Sequence, residues 1–279
     1  MTRLSPAAVL AWKMAAFEAL REQSEFIEKE HLLIGLYSLE KVLGIKDFAR
    51  AAKAAQTVLE EKDALDFPLC NSGMDPVTLR RRIRQAIPRG VSRHESKTIH
   101  RSRECKNIFS RAEQMAQGYD VTCIHLLSAI LESPGQIILN VIENAPVVGT
   151  VAGGRTVTAT IMQSVKEFQT AQEWKKNLSG EIEHSRRTLP SVSRDSEHYR
   201  QLKRDLTKMT ARLALICIDT NDLSGLIQAL RSLSHDTSVS HQELLDLMPQ
   251  LEYMNKEGIW MGEQTKKRIK EVLSGIGGN

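Results

Sequence analysis

Phe26-Ile-Glu-Lys-Glu-His-Leu-Leu-Ile-Gly-Leu36 decides how the rest of the chain is read, because a variant of it returns as Val121-Thr-Cys-Ile-His-Leu-Leu-Ser-Ala-Ile-Leu131. Aligning His31 on His125, 94 positions apart, sets Leu32, Leu33 and Leu36 over Leu126, Leu127 and Ile130. This i, i+1, i+4 apolar set suits the buried face of a helix. Each copy follows a second helical pattern with small residues four apart, Ala15 and Ala19 in the first and Ala112 and Ala116 in the second. Small residues at that spacing line one helix face and let a neighbouring helix come close. The repeated unit is a helix, a turn and a helix. A period of 94 is too long for a solenoid, whose periods run from about 20 to 50 residues, so the pattern indicates duplication within one domain.

These residues carry a family resemblance. Small residues, a polar turn, Glu30-His31-Leu32-Leu33 and an apolar continuation resemble the N-terminal double-repeat (Clp R) domain of the Clp and related heat-shock AAA+ ATPases. The Phe26-Ile27-Glu28 approach to His31 is similar to the disaggregase branch. The resemblance covers residues 1–145, with repeats at about 5–40 and 96–142. It implies an all-α, pseudo-twofold double helical repeat that binds substrate or adaptor proteins for an unfoldase, disaggregase or protease system without catalysing a reaction. The ATPase modules are absent from this sequence. The expected partners are therefore client or adaptor proteins and a Clp-type ATPase, in trans or, if the chain is the front of a longer protein, in cis.

In the branch that reads phosphoarginine, the acidic residue before the histidine contacts the guanidinium, a role the resemblance transfers to Glu30. The matching position in the second repeat is Ile124. A hydrocarbon cannot pair with a guanidinium, so the chain departs from a symmetric two-site reader. The disaggregase branch instead offers unfolded segments an apolar groove, which needs a few hundred square ångströms of exposed apolar surface.

Composition agrees with a helical protein. Among 279 residues, 41% are hydrophobic and only 5% aromatic, which favours helices packed through aliphatic side chains over a sandwich or barrel. Cys70, Cys105, Cys123 and Cys217 form no C-x-x-C pair, so neither a disulfide framework nor a zinc knuckle is indicated. Reduced thiols, no apolar run approaching 18 residues and no leader-like start together point to a soluble, cytoplasmic protein.

The net charge of +4 is unevenly spread. Residues 80–111 hold eleven Lys or Arg, including Arg80, Arg81 and Arg84, against Glu95 and Glu104. Such an excess attracts nucleic acid or acidic partners. The stretch has no aromatic side chain until Phe109, however, and base stacking requires them. A solvated helix face is the simpler reading, which leaves a basic nucleic-acid-binding protein as an alternative.

In chain order, Ser5-Pro6 caps and starts a helix to about Arg21, and Lys41 to Ala64 keeps helical spacing as one or two helices. Asp75-Pro76 starts another, Val77 to Ile87, and Gln136 to Ile142 closes the second repeat after a Ser133-Pro134 break. Residues 146–160 read as a linker rich in Gly, Thr, Val and Ala. The region 161–276 then carries five helical patterns, 161–187, 196–218, 223–233, 241–256 and 263–276, as a bundle or coiled coil, with Ser240 and Glu243 as a capping box.

Two further motifs bear on chemistry. His31 and His125 titrate near neutrality and suggest a general base or metal ligand, but no second ligand or nucleophile recurs with them. A structural histidine at a helix start, bonded across the repeat, is the preferred reading. Gly149-Thr-Val-Ala-Gly-Gly154-Arg155-Thr156 has the spacing of a phosphate loop, and Leu213 to Asp219 mimics a strand ending in a magnesium-binding aspartate. Arginine is bulkier and forked where that loop needs a slim lysine, and residues 213–218 continue a helix. A degenerate nucleotide binder remains the second alternative. No Gly-x-Ser-x-Gly or His-Glu-x-x-His pattern occurs, and no cofactor, metal or catalytic residue is assigned.

Overall fold

The computed structural model describes residues 3–44, 52–92, 94, 98–145, 156–194, 196–234, 242–257, 259 and 261–277. Among these the protein is almost wholly helical. Ser5 accepts from the Ala8 N–H and Pro6 sits at the first helical position, so α1 runs Pro6–Arg21. It is followed by β1 (Phe26–Ile27), α2 (Lys29–Leu36) and α3 (Leu39–Leu43). Next come α4 (Ala52–Asn71), α5 (Pro76–Ala86), β2 (His100–Arg101), α6 (Arg103–Ala116), α7 (Cys123–Glu132) and α8 (Gln136–Glu143). The remaining helices are α9 (Val157–Thr188), α10 (Glu197–Asp219), α11 (Leu223–Ser234), α12 (Gln242–Glu257) and α13 (Glu263–Gly277).

The α1–α2 and α6–α7 pairs are built alike. Ser5 and Ser102 cap α1 and α6, 97 positions apart, and at that offset the buried Ala8, Ala11, Ala15 and Ala19 match Cys105, Ile108, Ala112 and Ala116. Trp12 matches Phe109, and these two rings meet edge to face at 5.3 Å with the Arg101 guanidinium over both. The offset falls to 94 at the histidines because His31 lies twelve positions after Ala19 and His125 nine positions after Ala116. The difference lies in the turns, which pass through left-handed backbone at Gln23 in one and at Gln117 and Gly118 in the other.

The short strands join the two pairs reciprocally. The segment before α1 bridges the segment before α7 (Leu4 with Val121), and the segment before α2 pairs with the segment before α6 (Phe26 with His100, Ile27 with Arg101), both in parallel. Two-residue strands have no periodicity to read, so they were absent from the sequence expectation.

Helix boundaries follow the sequence closely, with three corrections. The His31 helix stops at Leu36 and the expected Lys41–Ala64 stretch resolves into α3 and α4. α4 runs on to Asn71 through Pro68, because Leu65 and Leu69 on its inner face are fully buried and Ser72 Oγ donates to the Pro68 carbonyl at 2.7 Å. The linker is also shorter than expected: residues 146–155 lie outside the described residues, but 157–160 already belong to α9.

Backbone contacts divide the chain into Met1–Phe168 and Gln169–Asn279, so the first unit extends past residue 145 and takes in the first turns of α9. Glu143 fixes that start by accepting from the Val157 N–H (3.1 Å) and the Thr158 N–H (3.0 Å). The second unit has its own core, in which Ala214, Cys217, Ile218, Leu226, Leu230, Leu251 and Ile269 are buried. Asn221 takes the left-handed conformation between α10 and α11 and accepts from the Met261 N–H at 3.0 Å, and Asp222 caps α11 through the Gly225 N–H. The Ser240 end of the expected capping box, and the Glu243 side chain, lie outside the described residues. Leu213 to Ile218 is helical within α10, as the spacing indicated, and residues 149–155 of the phosphate-loop lookalike are not among the described residues.

Candidate binding cleft

Both histidines stand at the third helical position, His31 in α2 and His125 in α7, and their partners are local. The expected bond across the repeat is replaced by one within the same turn: His31 Nδ1 accepts from the Glu28 N–H at 3.0 Å, and His125 Nδ1 accepts from the Thr122 N–H at 3.1 Å. The N-cap side chain in turn accepts from the histidine backbone, so each is a capping box with imidazole in the place of glutamate. Accepting at Nδ1 puts the His31 proton on Nε2, which faces Ser24 Oγ at 3.2 Å. Leu32, Leu33, Leu126 and Leu127 are fully buried beside them.

Burial disfavours the imidazolium and holds His31 down at about 4, while Glu22 and Glu18 oppose the shift; burial lowers His125 as well. The unfolded chain takes up a proton near pH 6.5 and folded His31 does not until about pH 4. Stability is therefore full above pH 6.5 and falls as pH drops towards 4, by about 3 kcal/mol from this residue alone. Urea titrations at pH 7 and pH 4.5 should show that loss. His31→Gln, which keeps an acceptor at the same position, should flatten it.

Glu30 follows at the second helical position, 8% exposed, its carboxyl pushed up by desolvation against the pull of its own N–H and Lys29. It lies beside Gly135 so closely that a Cβ there would stand 2.5 Å from Glu30 Oε1 and 2.8 Å from Lys29 Cε. Next to it opens a cleft of about 240 Å³ between the head of α2, the outer face of α6 and the α7–α8 turn. Ile108 and Ala129 are the buried apolar residues in its lining, and Asn107 is exposed. Two ion pairs border it. Lys29 Nζ lies 2.6 Å from Glu104 Oε2 and donates to the Ser133 carbonyl at 3.3 Å. Arg111 donates to Glu132 from Nε and Nη2, at 2.6 and 3.0 Å, holding the Glu132 carboxyl below its ordinary range. The sequence reading named Glu30, which lies beside the cleft and not in its lining, and did not assign Lys29, Glu104, Arg111 or Glu132, which come together only when α6 and the α7–α8 turn meet α2.

The corresponding groove by the α1–α2 pair is occupied. There α4 packs on α1, α3 and the head of α7. Glu61 Oε2 accepts the Cys123 N–H at 2.8 Å, Tyr37 Oη donates to the Leu65 carbonyl at 3.4 Å, and Val58, Leu65 and Leu69 are buried. Ile124, the counterpart of Glu30, is itself 9% exposed. Leu10, Met14 and Leu39 stand where the open cleft has Asn107, Arg111 and Ser133.

Five of the eleven cations in the basic stretch hold the fold. Arg80 donates to the Tyr37 carbonyl and to Glu40 Oε1, both at 2.7 Å, and is buried. Arg84 makes a forked pair with buried Glu18, at 2.6 and 3.0 Å, and Arg82 donates to the Asn144 carbonyl at 2.8 Å. With Arg101 over two rings and Arg111 on Glu132, part of the expected solvated face is instead a set of contacts within the fold. Arg81, Arg89, Arg103 and Lys106 are exposed.

Burial also sets the thiols. It pushes Cys105 and Cys217 up to about 12, Cys123 well above its ordinary value, and Cys70, the exposed one, to about 11. With Ellman's reagent at pH 8, Cys70 alone should react in the native protein, and slowly; the other three should follow only on unfolding. Among the described residues no group of three or more His, Cys, Asp or Glu is placed to hold a metal ion, and no single helix is long and apolar enough to cross a membrane. In comparison with known proteins, the chain matches no protein-family model and no curated protein.

Proposed function

We propose that the first unit is a pseudo-twofold double repeat of the Clp N-terminal type and that the protein is a non-catalytic module recognising client or adaptor proteins for a Clp-type AAA+ ATPase in the cytosol. The observation that carries this reading is the open cleft at the head of α2, where the Lys29–Glu104 and Arg111–Glu132 ion pairs offer charge of both signs and Glu30 is buried beside the lining. It lies where the resemblance puts the acidic contact residue, and the matching place at the head of α7 has a hydrocarbon, Ile124, under an internal helix. Recognition is thus one-sided, through Glu30.

The test is a pull-down from a cytosolic lysate using the full chain and its Glu30→Gln and Arg111→Ala forms, at low and moderate salt. Salt-resistant recovery of a Clp-type ATPase or its adaptors, reduced by both substitutions, is the expected result. Recovery of nucleic acid that disappears at moderate salt would instead assign function to the exposed cations Arg81, Arg89, Arg103 and Lys106. Nucleotide-dependent stabilisation abolished by Arg155→Ala would favour the phosphate-loop alternative.

A further inference from the structure

We infer that the outer face of α12 is the contact through which two copies of the chain associate, antiparallel and about a twofold axis at Pro249. The inference is independent of the binding reading above. α12 is a 16-residue helix whose inner face, Leu247, Met248, Leu251 and Met254, is buried in the core of the second unit. The opposite side carries Leu245, 50% exposed, then Pro249, then Tyr253, 60% exposed, at intervals of four that keep them in one row. Asp246 and Glu252 flank the row and Lys256 ends it, all of them exposed. This face has the same layout in both directions from Pro249, with outward positions three, four and seven residues away on each side. A self-complementary patch is what a twofold contact between identical subunits requires; binding to a different protein asks for no such symmetry.

In the antiparallel arrangement residues equidistant from Pro249 come to one level, Leu245 with the second copy's Tyr253, and the axis sets like flanks side by side. Asp246 and Tyr253 share a flank, so each phenol lies beside the other copy's carboxylate and donates to it. Asp246 accepts from Gln242 Nε2 at 3.0 Å through Oδ1, and a carboxylate has room for further donors. On the other flank Glu252 is held by Arg231 of α11 at 2.5 Å. With Lys256, the two acids of this face meet two cations, and the copies approach without net repulsion. One side of a helix about 24 Å long is well below the ~800 Å² per partner of a standard stable interface, so monomer and dimer exchange.

Sedimentation equilibrium of the full chain up to ~1 mM should show a monomer–dimer equilibrium with a dissociation constant on the order of 100 µM. Tyr253→Asp sets like charges against Asp246 of the second copy and should weaken the dimer at least tenfold. Tyr253→Lys sets a cation there and should dimerise at least as tightly as the natural chain. Position 253 is exposed, so the far-ultraviolet dichroism should stay unchanged in both. Orientation is read by crosslinking with copper phenanthroline in a Cys70→Ser background. Pro249→Cys, on the axis, should give a disulfide-linked dimer. Leu245→Cys should not, because its two copies lie about 12 Å apart along the helices, beyond the ~4.4–6.8 Å between Cα atoms that a disulfide spans. A chain monomeric throughout, equal weakening by aspartate and lysine at position 253, crosslinking through position 245, or none through position 249 would each overturn the inference.

Discussion

Gly35→Ala should unfold the first unit or leave it barely stable, a loss of roughly 4 kcal/mol or more, beyond the ~1–3 usual for an overpacked core. Gly35 is where α2 crosses α1. A Cβ added there would overlap the Ala11 carbonyl oxygen and stand 2.9 Å from the Ala15 nitrogen. Those are main-chain atoms of a helix, so nothing can rotate out of the way; α2 must lift off α1, uncovering Leu32, Leu33 and Leu36. Gly180 is the control. It lies inside α9, where an added methyl group would meet nothing within 4 Å, and Gly180→Ala should raise stability by about 0.5–1 kcal/mol through helix propensity alone. Urea unfolding followed by circular dichroism compares the two. An alanine at position 35 that costs under ~1 kcal/mol would show that the α1–α2 crossing is looser than the geometry requires.

Arg84→Ala should cost about 3 kcal/mol, the range for stripping one partner from a buried ion pair. Glu18 is 3% exposed and its carboxylate is held by the Arg84 fork, with Arg21 Nη2 at 3.0 Å as the only other cation contacting it among the described residues. Arg84→Lys keeps the charge and loses the two-pronged geometry, so it should fall between wild type and alanine. Arg81→Ala, on the exposed side of the same helix, should stay within ~0.5 kcal/mol. This series also separates two views of residues 80–111: a nucleic-acid surface predicts that Arg81 and Arg84 matter alike for binding and little for folding, and the geometry predicts the reverse.

Much of the fold was legible because its signals are local. Pro after a Ser or Asp cap marked α1 and α5, and apolar spacing placed the helices of the second unit to within a few residues. The likeness of the two helix pairs was legible because Ala15/Ala19, Ala112/Ala116 and His31 are buried at positions that tolerate few residue types, with His125 half-buried. The histidines' role was misread in one respect: a capping box is normally recognised by Glu or Gln at the third position, and imidazole there hides the pattern. Of the candidate site the sequence reading named only Glu30, which stands beside the cleft and outside its lining. Arg111 and Glu132, 21 positions apart, form a pair created by helix packing, and a charge count over residues 80–111 records cations without recording that Glu18, Glu40 and Glu132 consume three of them. The helix in the first groove was visible as a helix, but a helix pattern does not say which groove it fills.

The reciprocal strand pairing sets the order of events on the ribosome. Leu4 has its partner at Val121, and Phe26 and Ile27 have theirs at His100 and Arg101. At ~5–20 residues per second, α1 and α2 wait on the order of 5–20 seconds before the later strands emerge. Through that interval the apolar faces of the first pair lack their closing partner, so they should stay open to aggregation and to holding chaperones until about 120 residues are outside the exit tunnel.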